Sequence, residues 1–269
     1  MKAFVIDVSI CNGCYCCQIA CKDEHVSNDW TPYAKPQPDT GQFWVKLHEY
    51  VRGTVPKVKM HYVPVLCYHC DEAPCMASCK IEGAIYKRED GLVIIDPEKC
   101  TGCKECVDSC PYGTIYFNDG LNIAQKCTGC AHLLDNGWTE PRCIDACPTQ
   151  AIKFGEESEL KDLISKADVM RPELGAKPRV YYMNIPKKFV AGTIYDPVEK
   201  EVIIGATCTL SANGNKLTVN TDGFGDFWFE KLEEGTYSLK IEAKGFAAKT
   251  IDAINTEKDV NLGDIPLSK

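Results

Sequence analysis

Hydrophobic and polar positions divide the chain into two regimes. From about Phe189 onward, apolar and polar residues alternate in short runs, FVAGTIYD, ATCTLSA, KLTVNTD, DFWFEKL, GTYSLKIEAKG, KTIDAI and VNLGDI, separated by glycine and acidic turns. Period-two runs so spaced predict an antiparallel β-sandwich over residues 189–269, with Ile194, Leu210, Val219, Phe227, Phe229, Leu239 and Ile241 facing inward. Before that point the apolar runs are briefer. AFVIDV (residues 3–8) reads as a strand, GAIYKREDGLVIID and TIYFNDGLNIAQ read as hairpins turning at Glu89-Asp90-Gly91 and Asn118-Asp119-Gly120, and PTQAIKF reads as a strand with no return. Residues 22–66 show little periodicity and carry Trp30, Trp44 and several prolines, which predicts an extended insertion with aromatic anchors. Residues 156–170 place Leu160, Leu163, Ile164 and Ala167 at helical spacing and predict one amphipathic helix. The proline-interrupted stretch that completes 156–188 reads as a linker or strap.

The cysteines explain why the first 155 residues have so little apolar core of their own. Cys100, Cys103, Cys106 and Cys110 are separated by two, two and three residues and followed by Pro111. That spacing is the bacterial signature for a [4Fe-4S] cube, whose fourth cysteine ligates a second cluster. Cys11, Cys14, Cys17 and Cys21 repeat it, Cys67, Cys70, Cys75 and Cys79 relax it by two residues, and Cys127, Cys130, Cys143 and Cys147 open it by an insertion. Sixteen of the eighteen cysteines belong to these motifs, leaving Cys16 as a spectator beside ligands and Cys208 as an apolar filler of a strand.

The strand inventory sets the pairing. The second and third motifs enclose a complete hairpin, whereas the first has a leading strand and the fourth a following one, so the outer two complete each other around the inner two. With fourth ligands exchanged, the expected sets are Cys11, Cys14, Cys17 with Cys147; Cys127, Cys130, Cys143 with Cys21; Cys67, Cys70, Cys75 with Cys110; and Cys100, Cys103, Cys106 with Cys79. The fold class expected is α+β, two ferredoxin-like dicluster modules in residues 1–155 followed by the all-β sandwich. His69 and His132, beside ligand cysteines, are candidate donors to cluster sulfur.

Charge and composition then narrow the function. A formal charge of −8 with scattered basic residues argues against nucleic acid. No apolar run approaches the 18 or so residues of a membrane span, and MKAFVIDVSIC runs into the first motif without a charged and apolar leader, so a cytoplasmic location is expected, with export bound to a signal-bearing partner as the alternative. Disulfides suit short secreted chains, and structural zinc takes paired CxxC or Cys/His sets, so neither matches these spacings. No phosphate loop, dinucleotide fingerprint, HExxH or GxSxG accompanies the clusters. One-electron centres without a substrate site predict a non-catalytic electron-transfer subunit.

The four motifs, with the second in the form CYHCDEAPCMASC and the fourth in the form CTGCAHLLDNGWTEPRCIDACP, resemble the iron–sulfur subunits of the dimethyl sulfoxide reductase superfamily over residues 1 to about 155. The resemblance implies four [4Fe-4S] clusters in the nested pairing and a large catalytic partner holding molybdenum or tungsten on two pterin guanine dinucleotides, with an external electron carrier at the other end. TDGFGDFWFEKLEEGTYSLKIEAKGF resembles the carboxypeptidase regulatory-like, transthyretin-type sandwich. The whole chain, with NDWTPY, YKREDGLVIIDPEK and PELGAKPRVYY, is most similar to the superfamily branch of pyrogallol–phloroglucinol transhydroxylase. In that branch the second and third motifs have lost ligands, whereas Cys79, Cys100, Cys103 and Cys106 stand here. The intact set favours a dehydroxylase or hydroxylase acting on a hydroxylated aromatic compound over redox-neutral transhydroxylation; a reductase of small inorganic substrates and a free-standing polyferredoxin are the other readings.

Overall fold

A computed structural model describes residues 1–269 as two units. The first comprises residues 1–50 and 61–185, the second residues 51–60 and 186–269.

The first unit is built on strand β1 (Lys2–Asp7), whose Ala3, Phe4, Val5 and Ile6 are all essentially inaccessible to solvent. It leads into the first cysteine loop and helix α1 (Cys16–Val26). A long hairpin follows, β2 (Val45–Thr54) and β3 (Lys57–Leu66). This corrects the reading of residues 22–66 as aperiodic. The start of β2 does alternate, with Val45 and Leu47 buried around exposed Lys46, but the signal is too short to stand out beside the prolines. One turn of helix α2 (Pro74–Ser78) precedes the hairpin of β4 (Ile85–Lys87) and β5 (Val93–Ile95). The pattern repeats as α3 (Glu105–Ser109) with the hairpin of β6 (Ile115–Asn118) and β7 (Ile123–Lys126). Helices α4 (Ala131–Asp135) and α5 (Arg142–Asp145) then frame the last motif before β8 (Ile152–Glu156) returns antiparallel to β1. The sheet register, Ile6 opposite Ile152 and Phe4 opposite Phe154, joins the leading strand of the first motif to the following strand of the fourth.

Residues 156–188 differ from expectation. Of the helix expected over 156–170 only α6 (Lys161–Ile164) forms; Asp168–Val169 is strand β9, a single 3-10 turn follows at Pro172–Leu174, and Val180–Met183 forms β10, which pairs parallel with β1 and antiparallel with β9. The apolar stripe of 156–170 is only half-buried, so little is gained by extending the helix, and pairing with β10 recruits the chain instead. The expected linker is therefore core in part, since Val180 and Tyr182 are fully buried beside Phe4, Ile6, Leu92 and Ile94.

In the second unit β11 (Lys188–Asp196) lies between β15 (Asp226–Leu232) and the parallel β18 (Val260–Pro266), with short β12 (Glu201–Val202) at its end. The other sheet runs β14 (Asn215–Asn220), β13 (Thr207–Ala212), β16 (Thr236–Glu242), β17 (Lys249–Asn255). Every alternating run read from the sequence is a strand. Ile194, Leu210, Phe227, Phe229, Leu239 and Ile241 fill the core with Cys208, while Val219 packs on its margin. The hairpin tip belongs to this unit: Arg52 makes a bidentate pair with Asp259 at 2.9 and 2.6 Å, and Lys57 pairs with Asp226.

Candidate metal centres

Each cysteine loop places three thiols by local backbone geometry. The position before the second cysteine takes a left-handed conformation in every motif: Gly13, His69, Gly102 and Gly129 have φ between 43° and 76°. Glycine accepts this freely, so His69 is the costly exception and must be held by its surroundings. At Gly129 an added Cβ would meet Leu92 at 2.8 Å, so the loop also packs too closely for a side chain.

The short helices then carry the fourth cysteine away. α2 starts beside Cys75 and ends before Cys79, and α3 does the same for Cys106 and Cys110. Their divergence shows in what lines three hollows. Cys67, Cys70, Cys75 and Cys110 line the first; Cys79, Cys100, Cys103 and Cys106 line another; Cys11, Cys14, Cys17 and Cys147 line the third. No three His, Cys, Asp or Glu side chains converge as a single-ion site requires. Cys21, Cys127, Cys130 and Cys143 form the last set and are all buried; burial pushes the Cys21 and Cys143 thiols up strongly, and the other thiols of the set add to it.

Burial likewise pushes Cys17, Cys70, Cys106 and Cys130 up to about 12, with neighbouring thiols contributing. Groups so placed stay protonated unless a metal displaces the proton. Backbone donors are already aimed at sulfur in each set: Gly129 N–H at Cys127 Sγ (3.3 Å), Ala151 N–H at Cys147 Sγ (3.3 Å), His69 N–H at Cys67 Sγ (3.5 Å) and Ala124 N–H at Cys100 Sγ (3.5 Å). Four thiols around each hollow, largely apolar walls and N–H groups directed at sulfur together fit [4Fe-4S] groups. Cys16 heads α1 beside Cys14 and is not part of the wall of its hollow; Cys208 is sealed in the sandwich.

The histidines sort differently from expectation. His69 is buried, and its Nδ1 accepts from Val93 N–H at 3.0 Å. Burial holds the ring neutral, so the proton sits on Nε2, which has no protein partner and belongs to a ring on the wall of the Cys67 hollow. His132 directs Nε2 at Glu24 Oε1 (2.9 Å) and stacks on Trp30. Its neutral ring then leaves Nδ1 without a hydrogen, so His132 is not a sulfur donor. His25 instead places Nε2 4.0 Å from Cys130 Sγ of the buried set; it is pressed against Trp44 and pushed down to about 3 by burial. Its place four residues after Cys21, on the face of α1 that carries Cys17 and Cys21, was the available signal.

A 4Fe-4S dicluster domain matches residues 58–157 and a carboxypeptidase regulatory-like domain matches residues 190–268. The chain is 40% identical to the pyrogallol hydroxytransferase small subunit of Pelobacter acidigallici over 98% of both proteins. It is 33% identical to the arsenate respiratory reductase iron–sulfur subunit of a Shewanella strain over 67% of this chain and 94% of that one, and 33% identical to the B subunit of anaerobic dimethyl sulfoxide reductase of Escherichia coli over 66% and 85%. The chain belongs to the iron–sulfur subunits of the dimethyl sulfoxide reductase superfamily. As such a subunit it carries iron–sulfur clusters and transfers electrons. Among solved structures, 5-hydroxyisourate hydrolase of Klebsiella pneumoniae matches 30% of this chain and 93% of its own at 21% identity and a TM-score of 0.27. No helix of this iron–sulfur subunit is long and apolar enough to cross a membrane.

Proposed function

We propose that the chain holds four [4Fe-4S] clusters in the four cysteine sets above and conducts electrons between an external carrier and a large molybdenum or tungsten subunit acting on a hydroxylated aromatic compound. The active site then lies on that larger subunit. When bound, each cluster supplies a one-electron change and nothing more.

The observation that carries this reading is that the sets form a complete series with no ligand missing. Neighbouring thiols link one set to the next: Cys17 with Cys143, Cys67 with Cys127, and Cys75 with Cys106. The order is therefore Cys11–Cys147, Cys21–Cys143, Cys67–Cys110, Cys79–Cys106. Exposure follows the same order, since the terminal sets present Cys14 and Cys103 to solvent while Cys21, Cys127, Cys130 and Cys143 are wholly buried. The protein's own part is to keep water from the inner sets, hold thiols apart in pairs of loops, and aim N–H groups at sulfur.

The test is anaerobic purification of the native complex. Co-elution with a metal–pterin subunit, about sixteen irons per small subunit by the ligand arithmetic, and oxidation or reduction of all clusters within turnover on adding the aromatic substrate are expected. About twelve irons, or elution as a free chain, would contradict it. The 98% coverage of the pyrogallol hydroxytransferase small subunit, sandwich included, favours a second reading, a redox-neutral transhydroxylase. That enzyme would turn over with no external donor or acceptor, and the first would stop.

A further inference from the structure

Lys126 ends β7 with only 2% of its surface exposed, and the structure pairs no carboxylate with its ammonium. Nζ donates to two backbone carbonyls, Val93 O and Cys127 O, the latter at 3.1 Å. A buried cation held only by neutral carbonyls is costly, and methionine would fill the same space without that cost. A compensating negative charge is required, and the cluster reading supplies it on both sides. Lys126 adjoins Cys127 of one inner set and acts electrostatically on Cys75 of the other. Val93, which accepts from Lys126, also gives its N–H to His69, whose ring stands on the wall of the Cys67 hollow. The ammonium thus sits between the two buried cluster sites, in an interior where charges are poorly screened.

We propose that Lys126 is a fixed cation that sets the reduction potentials of the two inner clusters, favouring the reduced, more negative state of each. A cube bound by four thiolates is anionic in both redox states and gains one further negative charge on reduction. Opposite charge nearby stabilises the reduced form more and raises the potential. One cation shared by two sites does so for both, which keeps the centre of the series from becoming a barrier to electrons. This rests on the four-cluster reading above.

The test uses the full complex, titrated potentiometrically and followed by electron paramagnetic resonance. Lys126→Met removes the charge at similar volume; Lys126→Arg keeps it. With all clusters retained, the two signals altered by Cys75→Ser and Cys127→Ser should move to lower potential in Lys126→Met, the two outer signals should stay, and Lys126→Arg should remain near the wild type. Unmoved inner potentials in a fully loaded Lys126→Met complex overturn the proposal, as does an equal shift in Lys126→Arg. If Lys126→Met loses the inner clusters, retention of both in Lys126→Arg supports a need for the charge, and their loss there overturns it. Failure of the cluster reading itself would show separately, as fewer than four cluster signals in the wild-type complex.

Discussion

His69 illustrates what one side chain can do within a loop geometry shared by all four motifs. It occupies a left-handed position that glycine fills in the other three, so its side chain has to offset a backbone cost of about 1–3 kcal/mol. The bond from Val93 N–H fixes the tautomer and leaves Nε2–H unpartnered at the wall of the Cys67 hollow. Hydrogen bonds to cluster sulfur raise the potential. His69→Leu is therefore expected to keep all clusters and to lower the potential of one, the cluster altered by Cys75→Ser; a redox titration with all four signals unmoved would contradict this. His69 was legible as a candidate from its neighbouring cysteines. His25 and Lys126 were not, because nothing in their immediate sequence shows that a histidine lies 4.0 Å from Cys130 Sγ or that a lysine is sealed between two cysteine sets.

At the scale of elements, one turn of helix decides which hollow a cysteine lines. α2 separates Cys75 from Cys79, and the two line different hollows, Cys79 with Cys100, Cys103 and Cys106. Cys79→Ser should alter the same resonance as Cys100→Ser and leave the resonance altered by Cys67→Ser in place; matching changes in Cys79→Ser and Cys67→Ser would refute the swap. The hairpin of β2 and β3 makes a second element-scale prediction. Asp259 receives Arg52 through two bonds and also accepts from Phe189 N–H, with both charged side chains largely buried. Breaking such a pair strands a charge, so Asp259→Ala should destabilise the second unit by about 3 kcal/mol, read as a lower denaturation midpoint of that unit. Equal midpoints in wild type and variant would show the pair to be ornamental. The hairpin was missed because period-two alternation over so few residues is weak beside several prolines. The helix over residues 156–170 was over-read because spacing alone does not show whether an apolar stripe finds anything to cover.

For the whole molecule, the two units differ in what holds them together. The core of the first unit includes Cys17, Cys21, Cys67, Cys70, Cys127 and Cys143, so under the proposed ligation its stability is tied to the clusters. The second has an apolar core of Ile194, Leu210, Phe227, Phe229, Leu239 and Ile241, with Cys208 fully buried and its thiol pushed up to about 12 by burial. Removing iron with a chelator under native conditions should open the first unit and spare the second. Alkylation of the cluster-free protein should then modify every cysteine except Cys208, as read by peptide mass; rapid modification of Cys208 would mean the sandwich does not stand without the clusters. The sequence by itself determined the ligand loops, the two hairpins between them and the strands of the sandwich, because each is fixed by residues within a few positions of one another. Tertiary structure alone decided that β10 joins β1 in the core, that the tip of the β2–β3 hairpin belongs with the sandwich, and that Lys126 lies between cysteine sets. These depend on pairings across as many as 207 positions, such as Arg52 with Asp259. A parallel strand pair, a distant ion pair and a buried charge gain their free energy from partners that the local sequence does not contain.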